Sequence, residues 1–481
     1  RGETAYFEYL YFKKLDQENS NYYSLRNTDS RSAAFYANAT YSFNGKYVVN
    51  GTFRYEGSNQ MGRTTKARWM PTWNLSGAWN VHEESFFPKL KPLSSLTFRV
   101  SYSLTGTPPD AAYCNALTKL SMNTPYRPTT TDKELGFVVA ALGNDELTYE
   151  KKHEFNFGVD AGFFNNRLNV TFDVYQRRNF DEIAPTVTQL YGTAYANVGS
   201  MKSWGEELSI SSTNIKTQDF SWQTSLIYSH NRTEITDLYN QGRVIDLVQG
   251  NGFAKQGYPA RALFSIPFVG INEKGYPVCI NEKGQATVGN LNFQERDNTD
   301  YLIYEGSTDP VYNGSLGNTF NYKGFHLNLF LTYAFGNVVR LDPVFKAKYN
   351  DLTSMNHDFK NRWMQPGDEN VTNVPGVVSR YEYEQNSTLL ATAYNAYNYT
   401  SVRTAKGDFI RLKEISLAYD FPHRWFEKSP VNNISLKLQA TNLMLLYADK
   451  KLNGQDPEFM NAGGVASPMP KQFTLTLKLG L

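Results

Sequence analysis

The chain has 481 residues and a formal net charge of +2, which argues against the strongly basic surface that binds nucleic acid. Aromatic residues make up 15% of the sequence, yet the mean hydropathy is negative and no apolar run approaches the roughly 20 residues of a transmembrane helix. This composition fits an outer-membrane β-barrel, whose strands are only half apolar, and equally a large soluble all-β protein.

The two cysteines and the start of the chain say little about function. Cys114 and Cys279 lie far apart in segments predicted to be loops. They could pair in an oxidising compartment, but two cysteines in so long a chain make no disulfide framework. The sequence opens at Arg1 without a basic or apolar leader segment, so we expect a processed form or a fragment.

The first predicted strands flank an Asn-Gly turn. Residues 4–14 could form a strand, although their alternation is poor. Asn44-Gly45 separates residues 35–43 from residues 46–57, and Asn-Gly between alternating segments is the strongest short hairpin signal. The residues that share one face of the two arms are Phe35, Ala37, Ala39, Tyr41 and Phe43, then Tyr47, Val49, Gly51, Phe53 and Tyr55.

Two further strands are predicted at residues 67–81 and 95–106. They follow a polar loop and are themselves joined by a segment rich in Phe, Pro and Lys. Residues 107–148 are rich in Pro and Thr and show no sustained period. We therefore predict a long loop there.

Residues 154–178 are predicted to form a hairpin that turns at Asn165-Asn166. A two-residue turn there fixes the pairing of the arms and sets apolar side chains opposite one another at every step. The predicted pairs are Phe163 with Leu168, Ala161 with Val170, Val159 with Phe172, and Phe157 with Val174. Each arm is about ten residues long, the length that a tilted strand needs to cross a bilayer.

The remaining strands are separated by long polar segments. Residues 179–200 and 338–404 are predicted to be loops, and residues 232–312 contain turns, short extended pieces and one candidate strand at 259–271. The other predicted strands are 202–214, 219–231, the two arms of 312–337 with a turn near Tyr322-Lys323-Gly324, 408–421, 433–443 and 472–481.

Short turns and long loops alternate along the chain. Outer-membrane barrels have this asymmetry, with the short turns in the periplasm, whereas a soluble sandwich or propeller gives no reason for it. The last strand runs to the end of the sequence, and barrel closure is how such an edge is satisfied. The predicted fold class is therefore all-β, a transmembrane antiparallel β-barrel, with about 14 to 16 strands in this chain.

Ten stretches, taken in order, resemble the SusC/RagA type of TonB-dependent outer-membrane transporter of Bacteroidetes-like bacteria. Each stretch alone is weak evidence for the resemblance, but the number of stretches and their order along the chain identify the family. The matching segments are 46–62, 69–87, 96–108, 144–178, 197–231, 309–330, RWMQPGDEN at 362–370, 408–422, QDPEF at 455–459 and 468–481.

The resemblance implies a 22-stranded barrel with an N-terminal plug inside it. It also implies a SusD-like surface lipoprotein that lids the barrel and captures glycans or oligopeptides for import across the outer membrane. Nothing in residues 1–481 resembles the plug, the carboxypeptidase-like extension or the TonB box. We therefore interpret the chain as the C-terminal portion of the barrel, either a fragment or one chain of a nicked transporter.

The implied partners are the lipoprotein, the N-terminal plug and barrel portion, the TonB complex reached through that portion, and outer-membrane lipid. Nucleic acid is not among them. Two other functions stay open. The barrel could be a structural or accessory component of an outer-membrane complex that imports nothing, or it could be a passive porin.

The sequence predicts neither an enzyme nor a cofactor. Its six histidines show no metal-type spacing, and no nucleophile stands near a base in any recognisable motif. The acidic tracts 366–370 and 455–459 could bind Ca²⁺, because loop carboxylates at short spacing can do so. Solvated turns are the more common use of such tracts.

Tyrosines in the predicted extracellular loops are the candidate ligand contacts. Their rings could stack on sugar faces or pack against peptide side chains. Aromatic belts at the bilayer interface also need many tyrosines for structural reasons. The candidates are Tyr191, Tyr195, Tyr239, Tyr394 and Tyr397.

Overall fold

A computed structural model describes most of the chain. The described residues are 9–11, 13–14, 30–87, 92–108, 118–123, 136–188, 192–349, 355, 357–427, 430–460 and 470–480. Cys114, Tyr191 and Leu481 lie outside them. Within the described ranges, no helix is long and apolar enough to cross a membrane.

Strands and short helices follow one another along the whole chain. The strands are β1 (Ser32–Phe43), β2 (Tyr47–Ser58), β3 (Trp69–Asn80), β4 (Leu93–Thr107), β5 (Lys119–Asn123), β6 (Gly136–Ala141), β7 (Glu150–Phe163), β8 (Leu168–Thr188), β9 (Gly192–Lys216), β10 (Phe220–Leu238), β11 (Ala262–Ser265), β12 (Phe268–Ile271), β13 (Pro277–Ile280), β14 (Ala286–Thr287), β15 (Ile303–Ser307), β16 (Tyr312–Tyr322), β17 (Phe325–Phe335), β18 (Val338–Arg340), β19 (Thr404–Lys406), β20 (Phe409–Asp420), β21 (Asn433–Ala448) and β22 (Gln472–Gly480). The α-helices are α1 (Thr65–Arg68), α2 (Val244–Val248), α3 (Arg380–Gln385) and α4 (Ser387–Asn398).

Thirteen strands form one continuous antiparallel sheet. Their order in space is their order in the chain: β1, β2, β3, β4, β7, β8, β9, β10, β16, β17, β20, β21, β22. The two outer strands, β1 and β22, each pair on one side within this sheet. The remaining strands form two- and three-stranded sheets inside the connections. This up-and-down order is that of a membrane barrel wall, where lipid offers no hydrogen-bond partner and each strand must bond to its neighbours.

The predicted register of the 154–178 hairpin is confirmed. Phe163 pairs with Leu168, and the three further predicted pairs follow in the same register. Phe164, Asn165 and Asn166 all adopt the left-handed conformation, with φ between 56° and 58°. The turn is also tied to the start of β4, because the Asn165 amide donates to Ser94 Oγ at 2.7 Å.

The other predicted short turns are also present. Asn44 and Gly45 have φ of 52° and 70°, and Lys323 and Gly324 have φ of 45° and 90°. Connections of two to four residues follow β1, β7, β9 and β16, whereas long connections follow β4, β10, β17 and β21. The predicted asymmetry between the two ends of the sheet is confirmed for these connections, whereas the three residues between β8 and β9 are a short connection at the end of the long ones.

Two predicted strands are not part of the sheet. In residues 4–14, the described positions 9–11 and 13–14 are helical, in keeping with their poor alternation. Residues 259–271 provide β11 and β12, which pair with β15 and β13 in separate small sheets. A single membrane strand there would reverse every later strand and move the 323–324 turn to the side of the long loops. Without these two segments, the predicted strands are the thirteen of the sheet.

The loop predicted at 179–200 is wrong for most of its length. β8 continues to Thr188 and β9 begins at Gly192. The paired part of the two strands is therefore much longer than a bilayer requires. The prediction failed because Asp181, with φ of 59°, introduces an irregularity into the pairing between Asn179 and Glu182, and this breaks the alternation. The predicted loops 107–148 and 338–404 hold the β5–β6 hairpin and helices α3 and α4.

One face of the sheet is apolar and the other is polar. Phe53, Leu75 and Leu438 are exposed on the apolar face, so this face is the one that meets lipid. On the polar face, Arg99 donates to Asp160 at 2.6 Å and to Asp173 at 3.1 Å. Charged pairs of this kind belong to the water-filled interior of a barrel.

Aromatic residues border the apolar face at both ends. Tyr47 stacks on Trp79 near the short turns, with ring centroids 6.4 Å apart, and Trp73 packs edge-on against Tyr102 near the long connections at 5.4 Å. Aromatic girdles at both interfaces are typical of outer-membrane barrels. The inner girdle includes Tyr47, Trp79, Phe98, Phe325 and Tyr419, and the outer girdle includes Tyr55, Trp73, Tyr102, Phe155, Trp204 and Tyr312.

The two faces of β9 give a direct test of the membrane assignment. Leu208 lies opposite Phe172 on the apolar face, and the adjacent Ser209 lies opposite Thr171 on the polar face. We expect Leu208→Arg to destabilise the folded barrel by roughly 2 to 4 kcal/mol, the cost of arginine at the bilayer midplane. Ser209→Arg is the matched control and should cost far less. The measurement is the unfolding free energy of the full-length protein in lipid vesicles, and equal losses for both variants would contradict the assignment of faces.

Candidate ligand-binding site at the barrel mouth

The long connections 239–311 and 336–408 fold together at one end of the sheet into a compact unit, called here the loop lobe. Its main apolar core comes from both connections, which explains why the lobe is one unit. The buried residues of this core are Val244, Leu247, Val248, Ala262, Phe264, Ile266, Cys279, Leu302 and Ala396. A second cluster contains Ala347, Val378, Leu390, Ala393 and Tyr394.

Arg340, at the end of β18, joins the parts of the lobe. Its guanidinium donates to the carbonyls of Thr400 at 2.7 Å and Phe264 at 2.6 Å, and more weakly to that of Val248 at 3.3 Å. Burial lowers the pKa of Arg340 to about 10, so the group is still a cation at neutral pH. Carbonyl dipoles therefore accommodate its charge, and they come from three separate segments.

Residues 362–370 form one of the segments that are similar to the family's sequences. They pack against a turn whose sequence occurs twice in the chain. Asn272 and Asn281 begin two identical INEKG turns, in which each side-chain oxygen accepts two backbone amides. Gly275 has φ of 80°, and a Cβ there would lie 2.4 Å from the Trp363 ring. Only glycine allows this approach, so the turn and the indole fix each other's position.

Protein donors occupy the carboxylates of both acidic tracts. Glu369 accepts from Trp363 Nε1 at 2.9 Å, and Asp368 accepts the Met364 amide at 2.9 Å. Asp456 accepts from Arg411 at 2.6 Å. Among the described residues, no group of three or more potential metal ligands is present. In both tracts a carboxylate accepts a nearby backbone amide and so stabilises a local turn.

The predicted ligand-contacting tyrosines occupy different environments. Tyr394 and Tyr397 on α4 are only 1% and 2% exposed. The Tyr394 hydroxyl donates to the Gly376 carbonyl, and Tyr397 packs edge-on against Phe345 at 5.2 Å. Burial raises the pKa of both phenols. These two rings pack inside the lobe, and their part in binding stays a prediction.

The other predicted tyrosines are nearer the surface. Tyr239 follows β10 and is 70% exposed. Tyr195 is half-buried near the tip of β9, where its carbonyl accepts from Asn144 Nδ2 at 2.9 Å. Tyr191 lies outside the described residues. The part these three play in binding stays a prediction.

A cavity of about 1290 Å³ opens between the loop lobe, the upper end of β21 and the connection after it. Its lining is mixed: Leu341, Val344, Tyr399, Phe459 and Met460 are apolar or aromatic, and Asp342, Arg411, Lys450, Asp456 and Lys471 are charged. Pockets for small molecules are usually about 300 to 1000 Å³, so this one is large enough for an oligomer. None of the four described candidate tyrosines lines it.

An ion pair fixes one wall of the cavity. Arg411 on β20 is buried, and its Nη2 lies 2.6 Å from Asp456 and 3.1 Å from Glu458. Asp456 in turn accepts the Glu458 amide at 3.1 Å. The connection after β21 is thereby held against the sheet at the level of the cavity.

Sequence reasoning missed the cavity because its lining residues come from several segments that are far apart in the sequence. Arg411 stands in a strand whose alternation predicts an ordinary lumen-facing position. The QDPEF tract is visible in the sequence, but Arg411, its partner, lies 45 positions away. The signal that could have found the pair is the combination of a lumen-facing arginine near a strand end with an acidic loop in a barrel.

The burial of Tyr397 predicts a structural role that labelling can test. Burial raises the pKa of the Cys279 thiol to about 12, so Cys279 in the lobe core should resist alkylation in the native protein at pH 8. We expect Tyr397→Ala, which removes a buried ring at a cost of about 3 to 5 kcal/mol, to open the lobe and raise the rate of Cys279 alkylation. Peptide mapping measures Cys279 separately from Cys114.

The matched control is Tyr239→Ala, which removes an exposed ring and should leave the rate unchanged. If both variants label at the wild-type rate while Tyr397→Ala loses ligand binding, Tyr397 contacts ligand and the structural role is wrong.

Removing one member of the Arg411 pair should release the connection after β21. Arg411→Met leaves Asp456 buried without its cation, which costs about 3 to 5 kcal/mol. We expect faster proteolysis within 449–471 in the full-length protein. The control Arg380→Met breaks an exposed pair on α3 with Glu384 and should have little effect. The double variant Arg411→Met/Asp456→Leu should recover part of the protection, and a double variant as sensitive as the single one would contradict this account.

Comparison with known proteins agrees with this architecture. The family described as TonB dependent receptor-like, beta-barrel matches residues 2–443. The TonB-dependent receptor P3 of Formosa agariphila is 25% identical over 447 residues, which cover 88% of this chain and 41% of that protein. The TonB-dependent receptor SusC of Bacteroides thetaiotaomicron is 25% identical over 508 residues, which cover 100% of this chain and 46% of SusC.

Solved structures of the RagAB peptide transporter have the same fold. One superposes with a TM-score of 0.74 at 23% identity over 94% of this chain and 47% of that one. A second, in a closed state, gives a TM-score of 0.75 over 96% and 49%. The chain spans somewhat less than half the length of the curated relatives it matches. Both curated relatives are named as TonB-dependent receptors. Its sequence is thus similar to that of SusC, and its fold to that of the RagAB structures. The chain therefore belongs to the TonB-dependent receptor-like β-barrel family and resides in the outer membrane.

Proposed function

We propose that this chain is the C-terminal barrel portion of a TonB-dependent importer that takes up a glycan or an oligopeptide. The observation that carries the proposal is the large mixed cavity at the barrel mouth. Its apolar and aromatic groups suit sugar faces or peptide side chains, and its charged groups suit hydroxyls and peptide termini. The RagAB structures are of a peptide transporter, which favours the same class of cargo.

The proposed transporter complex includes further partners. A SusD-like lipoprotein would close over the loop lobe. An N-terminal portion, on the same or another polypeptide, would supply the plug, further strands and the contact with TonB. Support comes from the length of the relatives, which is about twice the matched length, and from the outer strands β1 and β22, whose second edges have no partner within the main sheet. An unpaired strand edge in lipid is too costly to persist.

We propose that the ligand contacts the protein in two places, at the rim of the barrel and inside the cavity. Tyr239, Tyr195 and Tyr191 are placed where rings at the rim could meet an arriving ligand. Asp342 and Lys471 are exposed in the cavity lining itself. Tyr394 and Tyr397 would act indirectly, by keeping the lobe in shape.

A matched pair of variants in the loop lobe tests the cavity. Val344 lines the cavity, whereas Val377 is 50% exposed and is not part of its lining. We expect Val344→Arg in the full-length transporter to reduce ligand uptake by at least tenfold, because the new side chain fills and charges the site. Val377→Arg should leave uptake unchanged. Uptake is measured with labelled oligopeptide and oligosaccharide mixtures, together with the amount of folded protein in the outer membrane.

Three outcomes would contradict the proposal. Normal uptake in the Val344→Arg variant removes the cavity from the pathway. Absence of any TonB-dependent uptake by the wild-type complex, with the lipoprotein and plug portion present, points to an accessory barrel. Uptake that persists without TonB points to a passive porin.

A further inference from the structure

Three cations stand on the lipid-facing side of β8, β9 and β10. Arg178 pairs with Lys202 across β8 and β9, and Arg232 pairs with Trp204 across β10 and β9. Their side chains share a face with the apolar Val174 and with the lipid-facing Leu208, because residues two apart on a strand point the same way. All three cations are exposed. We call Arg178, Lys202, Arg232 and Trp204 the outer basic patch.

The height of the patch follows from strand geometry. Ten residues separate Leu168, the first of β8, from Arg178. At about 3.4 Å per residue and a tilt of about 45°, this distance rises roughly 24 Å along the membrane normal. The apolar band of an outer-membrane barrel is about 25 Å tall. The patch therefore stands at the upper boundary of the band, at the level of the outer-leaflet headgroups.

On the same face of β9 and β10, the carboxylates of Glu206 and Glu234 stand beside the three cations, so this face keeps an excess of positive charge among the described residues. Lys202 has Glu234 at 3.0 Å. Neither Arg178 nor Arg232 forms an ion pair with a described residue. Like charges opposite each other on neighbouring strands destabilise a sheet, and Arg178 lies opposite Lys202. An anion from outside the protein would relieve this repulsion.

Trp204 provides a fixed aromatic surface within the patch. Its ring lies 4.8 Å from that of His230, which in turn stacks on Tyr312 at 4.8 Å. The His230 Nδ1 is buried without a hydrogen-bond partner among the described residues, and lies 3.7 Å from Glu206. Trp204 is nonetheless 46% exposed. It thus presents an open ring between Lys202 and Arg232, on the side where lipid lies.

We propose that the outer basic patch binds a phosphorylated glycolipid of the outer leaflet. Arg178, Lys202 and Arg232 would hold the lipid's phosphate group, since guanidinium groups bind phosphate through paired N–H donors. The Trp204 ring would lie against the adjoining sugar, at the depth where aromatic side chains favour the interface. The acyl chains would then run down the apolar surface below. This site is separate from the import cavity and does not depend on the proposed transport function.

The test compares lipid binding by the full-length protein and its variants. The probes are monophosphoryl lipid A and the same lipid after removal of its phosphate, titrated into detergent micelles and measured by native mass spectrometry. A basic residue near an anionic headgroup contributes about fivefold in affinity. We therefore expect Arg178→Gln/Arg232→Gln to bind the phosphorylated lipid roughly thirtyfold more weakly. This double variant should bind the dephosphorylated lipid as the wild type does.

Two control variants show whether a loss of binding comes from this site or from a change in the protein's overall charge, and unfolding measurements show whether it comes from misfolding. Arg380→Gln neutralises an exposed arginine on α3, outside the main sheet, and should bind as the wild type does. Arg178→Lys/Arg232→Lys keeps the charge but loses the paired donors, so its affinity should lie between those of the wild type and the double Gln variant. Thermal unfolding of each variant in the same detergent reports whether it is folded, and both arginines are exposed, so their replacement leaves no cavity.

Three results would overturn the proposal. The first is equal affinity of the wild type and the double Gln variant for the phosphorylated lipid. The second is equal affinity of the wild type for the two lipids. The third is full competition by inorganic phosphate at the same concentration, which would make this a site for free anions. Ligand uptake by the double Gln variant should stay normal, so failure here and failure of the import proposal can be told apart.

Discussion

The absence of hydrogen-bond partners in lipid is the constraint on which the whole structure depends. Each strand in the membrane must place its amides and carbonyls on two neighbouring strands, so the main sheet runs without interruption from β1 to β22. A continuous ladder fixes the alternation of faces, because a shift of one residue would exchange lipid and lumen along a whole strand. The short turns follow from the same requirement. They need left-handed residues, and Asn44, Gly45 and Gly324 supply them.

Outside the membrane a different set of forces applies. The loop lobe is held by an ordinary apolar core, and its irregular backbone is satisfied by side chains such as Asn272 and Asn281. Two buried arginines have separate roles: Arg340 joins parts of this lobe to one another, and Arg411 connects the segment after β21 to the barrel. Arg340 is surrounded by carbonyls, whereas Arg411 is paired with carboxylates. The lobe therefore has a fixed internal geometry, while the connection after β21 is positioned by charge.

The sequence predicted the barrel well because membrane strands obey a simple periodic rule. The pairing of Phe163 with Leu168 and its neighbours could be read from alternation and turn residues alone. The same rule misled at Asp181, where one left-handed residue breaks the period although the strands pair on both sides of it. The candidate site was much harder to predict from the sequence. Tyr394 and Tyr397 lie in a polar segment that reads as an exposed loop, and their burial depends on apolar partners more than a hundred residues away, such as Phe268.

The direction of the outer strands has a consequence for how the barrel closes. β1 runs toward the first short turn, and β22 also runs toward the side of the short turns. The two edges are therefore parallel to each other and cannot join in an antiparallel ladder. Closure with alternating strands requires an odd number of additional strands between them, whichever polypeptide provides these. An even number of additional strands would leave two parallel strands side by side at the closure. Nine additional strands satisfy the rule and would bring the thirteen of this sheet to the 22 of the large outer-membrane transporters.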